Sequence, residues 1–349
     1  MNRKSTLLIG LLLSLFSLAQ YNIAVNVDGL SCGDELLLAN HFGDKQYLRD
    51  TATCDHGTFY FRGDESLESG VYLVVLPKKT YFEILISADE DQMKYSFSTD
   101  TTLSAKSRKV SGSRENELFA EFNKQAVFYG RKASALQDLY KAETDEKKKE
   151  ELEKEMELIT TQVSEARAKI VKEEPELFIG KLYRSMQEVP SAEVDESMSE
   201  DDAAEYKYLH ARNHYWDNVD LGENGLIRSP IFHNKLKRYF DLYMPPIPDT
   251  AIYLADDLAN KIEKAGGEEL YKYTVQFLLG YFEESKYLCF DKPLWHMAKN
   301  YYCEGKAWWS DSAYVAKMCE ESSKMEPTLC NELAPDMNMP DTLFQQRYR

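Results

Sequence analysis

The period of the hydrophobic pattern changes once along this chain, near residue 112, so the two parts need different architectures. Before that point apolar residues alternate in short runs. Ile23, Val25 and Val27 precede Gly29, Phe59 and Phe61 lie between His56-Gly57 and Gly63-Asp64, and Tyr95 pairs with Phe97. Leu36-Leu37-Leu38 stops before Gly43-Asp44, Val71 to Leu76 stops at Pro77, and Tyr81 to Ile86 follows a Lys-Lys turn. A period of two places every second side chain on one face of a strand. Six or seven short strands, with turn residues about every 8–12 positions, predict an antiparallel β-sandwich or barrel over residues 20–112.

After Gly112 the step lengthens. Leu118, Phe122, Ala126, Tyr129, Ala133, Leu136 and Tyr140 follow one another by 4, 4, 3, 4, 3 and 4 residues. Leu152, Met156, Ile159, Val163, Ala166 and Ile170 resume after the charged stretch Glu143 to Glu151. Both seams are spaced for another helix. Each covers only about three heptads, which favours an antiparallel hairpin turning near Thr144-Asp145 over one long helix. Ser113, followed by Glu115 and Glu117, has the chemistry of a helix start. Pro175 is placed at the first turn of the next helix. Ser191 to Asp202 reads as an acidic loop. Helices are expected near 203–217, 231–243, 250–264, 267–283, 291–304 and 311–325, with Pro245-Pro246-Ile247-Pro248 as a stiff connector. The expected fold class is therefore α+β: a β-sandwich or barrel over 20–112, an all-helical domain over 113–333 and a short tail over 334–349.

Residues 1–19 read as a signal peptide. Arg3 and Lys4 precede an apolar run, Leu7 to Leu18, of about 12 residues, too short to span a bilayer. Ser17 and Ala19 set cleavage after Ala19. The expectation is a periplasmic protein with no membrane insertion after cleavage. Losing Arg3 and Lys4 would take the net charge from −17 to −19. Such a chain repels phosphate backbones, which argues against nucleic acid as a partner.

Export permits disulfides. The cysteines fall into two groups, Cys32 with Cys54, and Cys289, Cys303, Cys319 and Cys330. Pairing within each group is the economical expectation, and small buried hydrophobes are the alternative. No two are spaced Cys-x-x-Cys, so neither a redox dithiol nor a zinc knuckle is expected. His210 and His214, four apart on a helix with Asp217 beyond, are weak metal candidates, because the glutamate of His-Glu-x-x-His is missing. Trp216-Asp217, Trp308-Trp309, Trp295 and His296 could line a sugar or peptide cleft, although aromatic residues in a helical domain more often pack a core. No Gly-x-Ser-x-Gly, Walker or Gly-x-Gly-x-x-Gly pattern occurs, and no cofactor is expected.

Several stretches carry a resemblance. In the β part they are Tyr47-Leu48-Arg49-Asp50-Thr51-Ala52, Gly70 to Pro77, and Gly112-Ser113-Arg114-Glu115-Asn116. In the helical part they are His214-Tyr215-Trp216-Asp217-Asn218, Arg228-Ser229-Pro230, Ser285-Lys286, Tyr301-Tyr302, Gly305-Lys306-Ala307-Trp308-Trp309 and Pro327-Thr328-Leu329. Ala334-Pro335-Asp336 to Asp341 then looks like the opening of a thioredoxin-like domain of the TlpA/peroxiredoxin type. Together these resemble a Bacteroidetes family of exported thioredoxin-like oxidoreductases with two N-terminal accessory domains of unknown function. The resemblance covers residues 21 to 349 and implies thiol–disulfide exchange by a C-terminal domain whose start alone falls within this chain. Its catalytic residues have no counterpart here, so no reductase activity is expected of the chain as given. The expected role is a non-catalytic accessory region that positions the redox domain or binds protein or peptide clients. The alternative is a free-standing periplasmic scaffold for peptides or glycans. Cys289 falls where the family pattern has glycine, and Cys330 where it has an apolar residue. The motif residues, including Arg228, Pro230, Trp308 and Trp309, are expected to be structural.

Overall fold

The computed structural model describes residues 20–195 and 197–332, together with the backbone of residues 339–340 and 347–348. The expected signal peptide and most of the tail, including Ala334-Pro335-Asp336, lie outside the described residues.

The N-terminal part holds nine strands rather than six or seven. They are β1 (Tyr21–Asp28), β2 (Leu37–Phe42), β3 (Lys45–Thr51), β4 (Thr53–Asp55), β5 (Thr58–Gly63), β6 (Gly70–Val75), β7 (Tyr81–Ile86), β8 (Ser96–Asp100) and β9 (Lys109–Ser111). One sheet runs β4-β5-β1-β8-β9 and the other β3-β2-β6-β7. All pairings among these strands are antiparallel except β1 with β8, which is parallel with Val25 opposite Phe97. The inner faces share one core: Ile23, Val25, Phe59, Phe61 and Phe97 from the first sheet meet Leu38, Tyr72, Val74, Phe82 and Ile84 from the second. This is a sandwich.

The second sheet is also covered on its outer face. Val71 and Leu85 point away from the sandwich core into the helical one. A strand buried on both sides cannot alternate, which is why Val71 to Leu76 is apolar without a break.

The helices are α1 (Arg114–Ala142), α2 (Glu146–Glu173), α3 (Phe178–Ser185), α4 (Glu200–His214), α5 (Pro230–Tyr243), α6 (Pro248–Ala265), α7 (Glu268–Glu283), α8 (Asp291–Met297) and α9 (Ser312–Met325). The α1–α2 hairpin turns at Glu143–Asp145, where the Asp145 carboxylate caps α2 by accepting from the Lys147 and Lys148 amides. The single helix expected over 291–304 is instead α8 followed by a π-helical turn, Ala298–Cys303. Pro248 belongs to the first turn of α6 rather than to a connector, where its missing N–H costs nothing. The helix expected from residue 203 begins at Glu200, capped by Ser199.

The junction between the two parts is built from Gly112 to Asn116. Gly112 has φ 81°, and a Cβ there would collide with the Lys94 carbonyl, so only glycine turns the chain at this point. Ser113 caps α1 by accepting from the Asn116 amide at 3.1 Å, and its hydroxyl donates to Glu90. Asn116 hydrogen-bonds the amide and carbonyl of Leu85 in β7, at 2.7 and 2.6 Å. Arg114 pairs with Glu174 at 2.9 Å.

Glu115 is fully buried, and its carboxylate accepts from the Phe178 and Ile179 amides at 3.1 and 2.8 Å. That contact corrects the reading of Pro175. The helix starts three residues later because a carboxylate from α1 supplies the cap that Leu177 cannot. Burial raises the Glu115 pKa against the lowering effect of those amides. The expected result of Ser113→Ala is a loss of about 1–2 kcal/mol, read as a lower urea midpoint with an unchanged slope.

Candidate functional site

A cavity of about 770 Å³ opens where the β2–β3 hairpin meets the helical part. Three separated segments build it. Asp44 and Lys45 come from the hairpin turn, His233 and Lys237 from α5, and Tyr273, Phe277, Tyr281 and Glu284 from one face of α7 and its end. Ser285, Lys286 and Tyr287 close the rim.

The hairpin is held in place by its turn. Gly43 has φ 62°, its amide donates to the Ile227 carbonyl at 2.9 Å, and the Tyr273 ring occupies the space a Cβ would need. Phe42 meets the Tyr273 ring edge-on at 6.0 Å. One wall is thus aromatic and fixed. On α7, Gly280 has nothing within 4 Å of where its Cβ would be. A glycine inside a helix costs about 1 kcal/mol relative to alanine, and here it leaves the cleft open.

The polar groups divide into two kinds. Lys237 is bonded to Asp241 at 2.5 Å, and Asp241 also accepts from the Tyr281 hydroxyl at 3.1 Å. Lys45 and Lys286 make no ion pair among the described residues. His233 Nδ1 lies 2.7 Å from the Tyr273 hydroxyl. Burial pushes Tyr273 up to about 12, so the phenol keeps its proton beside the imidazole. Burial holds the His233 pKa below its usual value, with Asp44 opposing and Lys237 reinforcing.

A histidine with a depressed folded pKa contributes stability above its unfolded pKa, near 6.5, and loses it as pH falls through the folded value. His41, in β2, is depressed by burial in the same sense. Stability should therefore fall between about pH 7.5 and about pH 5.5, and His233→Gln should lose less over that interval than the parent. Equal losses in chemical denaturation at the two pH values would contradict this.

The cleft can hold an extended polymer with apolar or aromatic side chains. Its walls offer the aromatic surfaces of Tyr273, Phe277, Tyr281 and Tyr287, and its rim carries lysines together with the carboxylates of Asp44 and Glu284.

The residues singled out from sequence lie elsewhere. His210 and His214 stack with ring centroids 4.4 Å apart, and His214 Nδ1 is 2.7 Å from Asp217. This places a histidine at the C-terminus of α4, where a cation is favoured. Among the described residues no three His, Cys, Asp or Glu side chains are grouped to hold a metal ion.

Trp216 is buried against Tyr215, Phe232 and Tyr239. Trp309 packs edge-on against Tyr271 and Tyr302, while Trp308 is 64 % exposed. Pro230 opens α5 behind its cap Ser229. Asp256, on α6, was missed from sequence. It accepts from His296 at 2.9 Å and from the Tyr301 hydroxyl at 2.7 Å. Burial opposes its charge, but these bonds outweigh burial and keep its pKa low.

All six cysteines are bonded, as Cys32–Cys54, Cys289–Cys330 and Cys303–Cys319. Cys289 has φ 65°, the left-handed region that favours glycine. Its bridge ties the rim segment Ser285–Tyr287 to the chain beyond α9.

Among the described residues no helix is long and apolar enough to cross a membrane. Comparison with known families matches two models. One, described as a domain of unknown function (DUF4369), covers residues 21–119, the sandwich and the first turns of α1. The other, described as a domain of unknown function (DUF5106), covers residues 144–322, from the cap of α2 into α9. The cleft straddles the two, since Asp44 and Lys45 fall in the first match and its remaining lining in the second. No curated protein matches the chain. No solved structure matches it either. With more than half of its length covered by that second model, the chain belongs to the DUF5106 family.

Proposed function

We propose that this chain is a non-catalytic accessory region of an exported, periplasmic thioredoxin-like oxidoreductase, and that its cleft holds extended segments of the clients. The observation that carries the reading is the contrast between the cysteines and the cleft. Every cysteine is locked in a bridge, so no thiolate is free to begin exchange. The cleft, by contrast, combines a fixed aromatic wall with two lysines, Lys45 and Lys286, that make no ion pair among the described residues. The Ala334-Pro335-Asp336 segment supports a thioredoxin-like domain as the neighbour.

The test pairs two assays on the purified chain. Insulin reduction should stay at background. A fluorescent, reduced and carboxymethylated model protein should bind with saturation by anisotropy. Gly280→Leu, which fills the cleft and favours the helix, should weaken that binding at least tenfold without lowering the thermal midpoint. Insulin turnover above background, or binding indifferent to Gly280→Leu, would overturn the reading.

The exposed indole of Trp308 favours a second reading, a free-standing scaffold for glycans, since sugars stack on such surfaces. Trp308→Ala would abolish oligosaccharide binding in that case, and leave peptide binding intact in the first.

A further inference from the structure

A second cavity, of about 470 Å³, lies between the loop around Ser104–Lys106 and the outer face of α1. Its α1 lining is Lys124, Val127, Phe128, Arg131 and Lys132, with Lys106 opposite. Steps of three and four residues place these side chains on one helical face. Four are cations, two are apolar, and no carboxylate lines the cavity.

That composition is unusual for this chain. Its net charge is −17, and the solvent faces of α2, α5 and α6 pair charges of opposite sign. Lys154 pairs with Glu150, Lys237 with Asp241 and Lys261 with Asp257, each one turn apart. On this face the positions one turn on from Lys124 and one turn back from Arg131 are Phe128 and Val127, and Glu121, one turn before Lys124, makes no ion pair with it among the described residues. Lys132 reaches Glu155 only at 3.8 Å. Lys106, Lys124 and Arg131 make no ion pair among the described residues. Phe128 is 65 % exposed. Converging cations around a bare aromatic ring raise the local potential and leave apolar area in water, and both costs fall when an anion with an apolar body enters. The volume lies within the range of small-molecule sites.

We propose that this pocket binds a small amphipathic organic anion, an apolar chain or ring ending in a carboxylate or sulfonate-type group. Arg131 offers the planar fork that such a group matches. Lys106, Lys124 and Lys132 neutralise it, and Val127 and Phe128 take the apolar body.

The experiment titrates the full chain with dodecanoate and with 8-anilinonaphthalene-1-sulfonate by calorimetry. The expected result is one site for each anion, weakened by added salt as exposed charges are screened. The K124E/R131E double variant should bind at least tenfold more weakly at an unchanged thermal midpoint. Should that variant fold poorly, K124Q/R131Q serves in its place. Gly280→Leu, which fills the other cleft, should leave both anions bound as in the parent. Absence of binding by both anions would overturn the proposal. So would binding unchanged in the charge variants, loss of binding in Gly280→Leu, or equally tight binding of uncharged dodecanol.

Discussion

Replacing Cys303 and Cys319 by serine is expected to cost about 3 kcal/mol, and replacing Cys289 and Cys330 about 4 kcal/mol, from the loops of 16 and 41 residues that the bridges close. The effect should be local before it is global. Of the 14 residues of α9 only Ser322 is buried, while Val315 and Met318 pack partly against the core. A helix with so little apolar contact has little to hold it once its cross-link is gone. Limited proteolysis of the C303S/C319S variant should cut within α9 first, and urea unfolding should give the stability loss. At Cys289 two effects oppose each other. The bridge stabilises, but φ 65° costs a side-chain-bearing residue about 1–2 kcal/mol. The C289G/C330S pair should therefore be more stable than C289S/C330S by about 1 kcal/mol. Midpoints indistinguishable from the parent in both double variants would show that the bridges are not structural.

The second large effect is expected at Arg228, in the 3-10 turn Asn224–Arg228. It is 4 % exposed and pairs with Glu68 at 2.6 Å and with Glu269 at 2.5 Å. Glu68 belongs to the loop before β6 and Glu269 to α7, so one guanidinium joins the sandwich to the helices. The backbone makes room for it, since Gly70 is packed against the Arg228 Cβ. Burial opposes the charge, but the bond to Glu269 and the two carboxylate charges outweigh it and raise the arginine pKa. Arg228→Ala removes the cation and strands two acids beside each other. Breaking a buried pair costs about 3–5 kcal/mol, and the partial exposure of both acids places this case near 3 kcal/mol. Arg228→Lys should recover only part, because both carboxylates meet the one guanidinium nitrogen Nη2, and the shorter lysine side chain ends before that point. A loss under about 1 kcal/mol in Arg228→Ala would mean that the two parts do not depend on this clamp.

Local chemistry was readable where it was local in cause. Ser113 caps α1 within three residues of itself, and the turn near Thr144-Asp145 shows as the charged break between two seams, so their sequence neighbourhoods suffice. The strand β3 was not readable. Lys45 to Thr51 is exposed at nearly every position, so an edge strand of this kind has no alternation to display. The start of α3 was misplaced because its cap, Glu115, lies about 60 residues away in sequence. The cleft left no trace for a related reason: His233, Tyr273 and Lys45 sit in three segments with no shared spacing. Residue type alone does not group the tryptophans: Trp216 packs on Phe232 and Tyr239, and Trp309 on Tyr271 and Tyr302. The cysteine groups are visible in sequence, but the choice among pairings of the last four depends on how α8 and α9 pack.

The most direct measurement is the intact mass of the native protein, taken before and after alkylation under denaturing, non-reducing conditions. The account predicts a polypeptide that begins at residue 20 and exceeds residues 20–349 by one domain of roughly 100–150 residues, with no alkylation at the six cysteines of this chain. A mass equal to residues 20–349 alone, or a free thiol among those six, would contradict it.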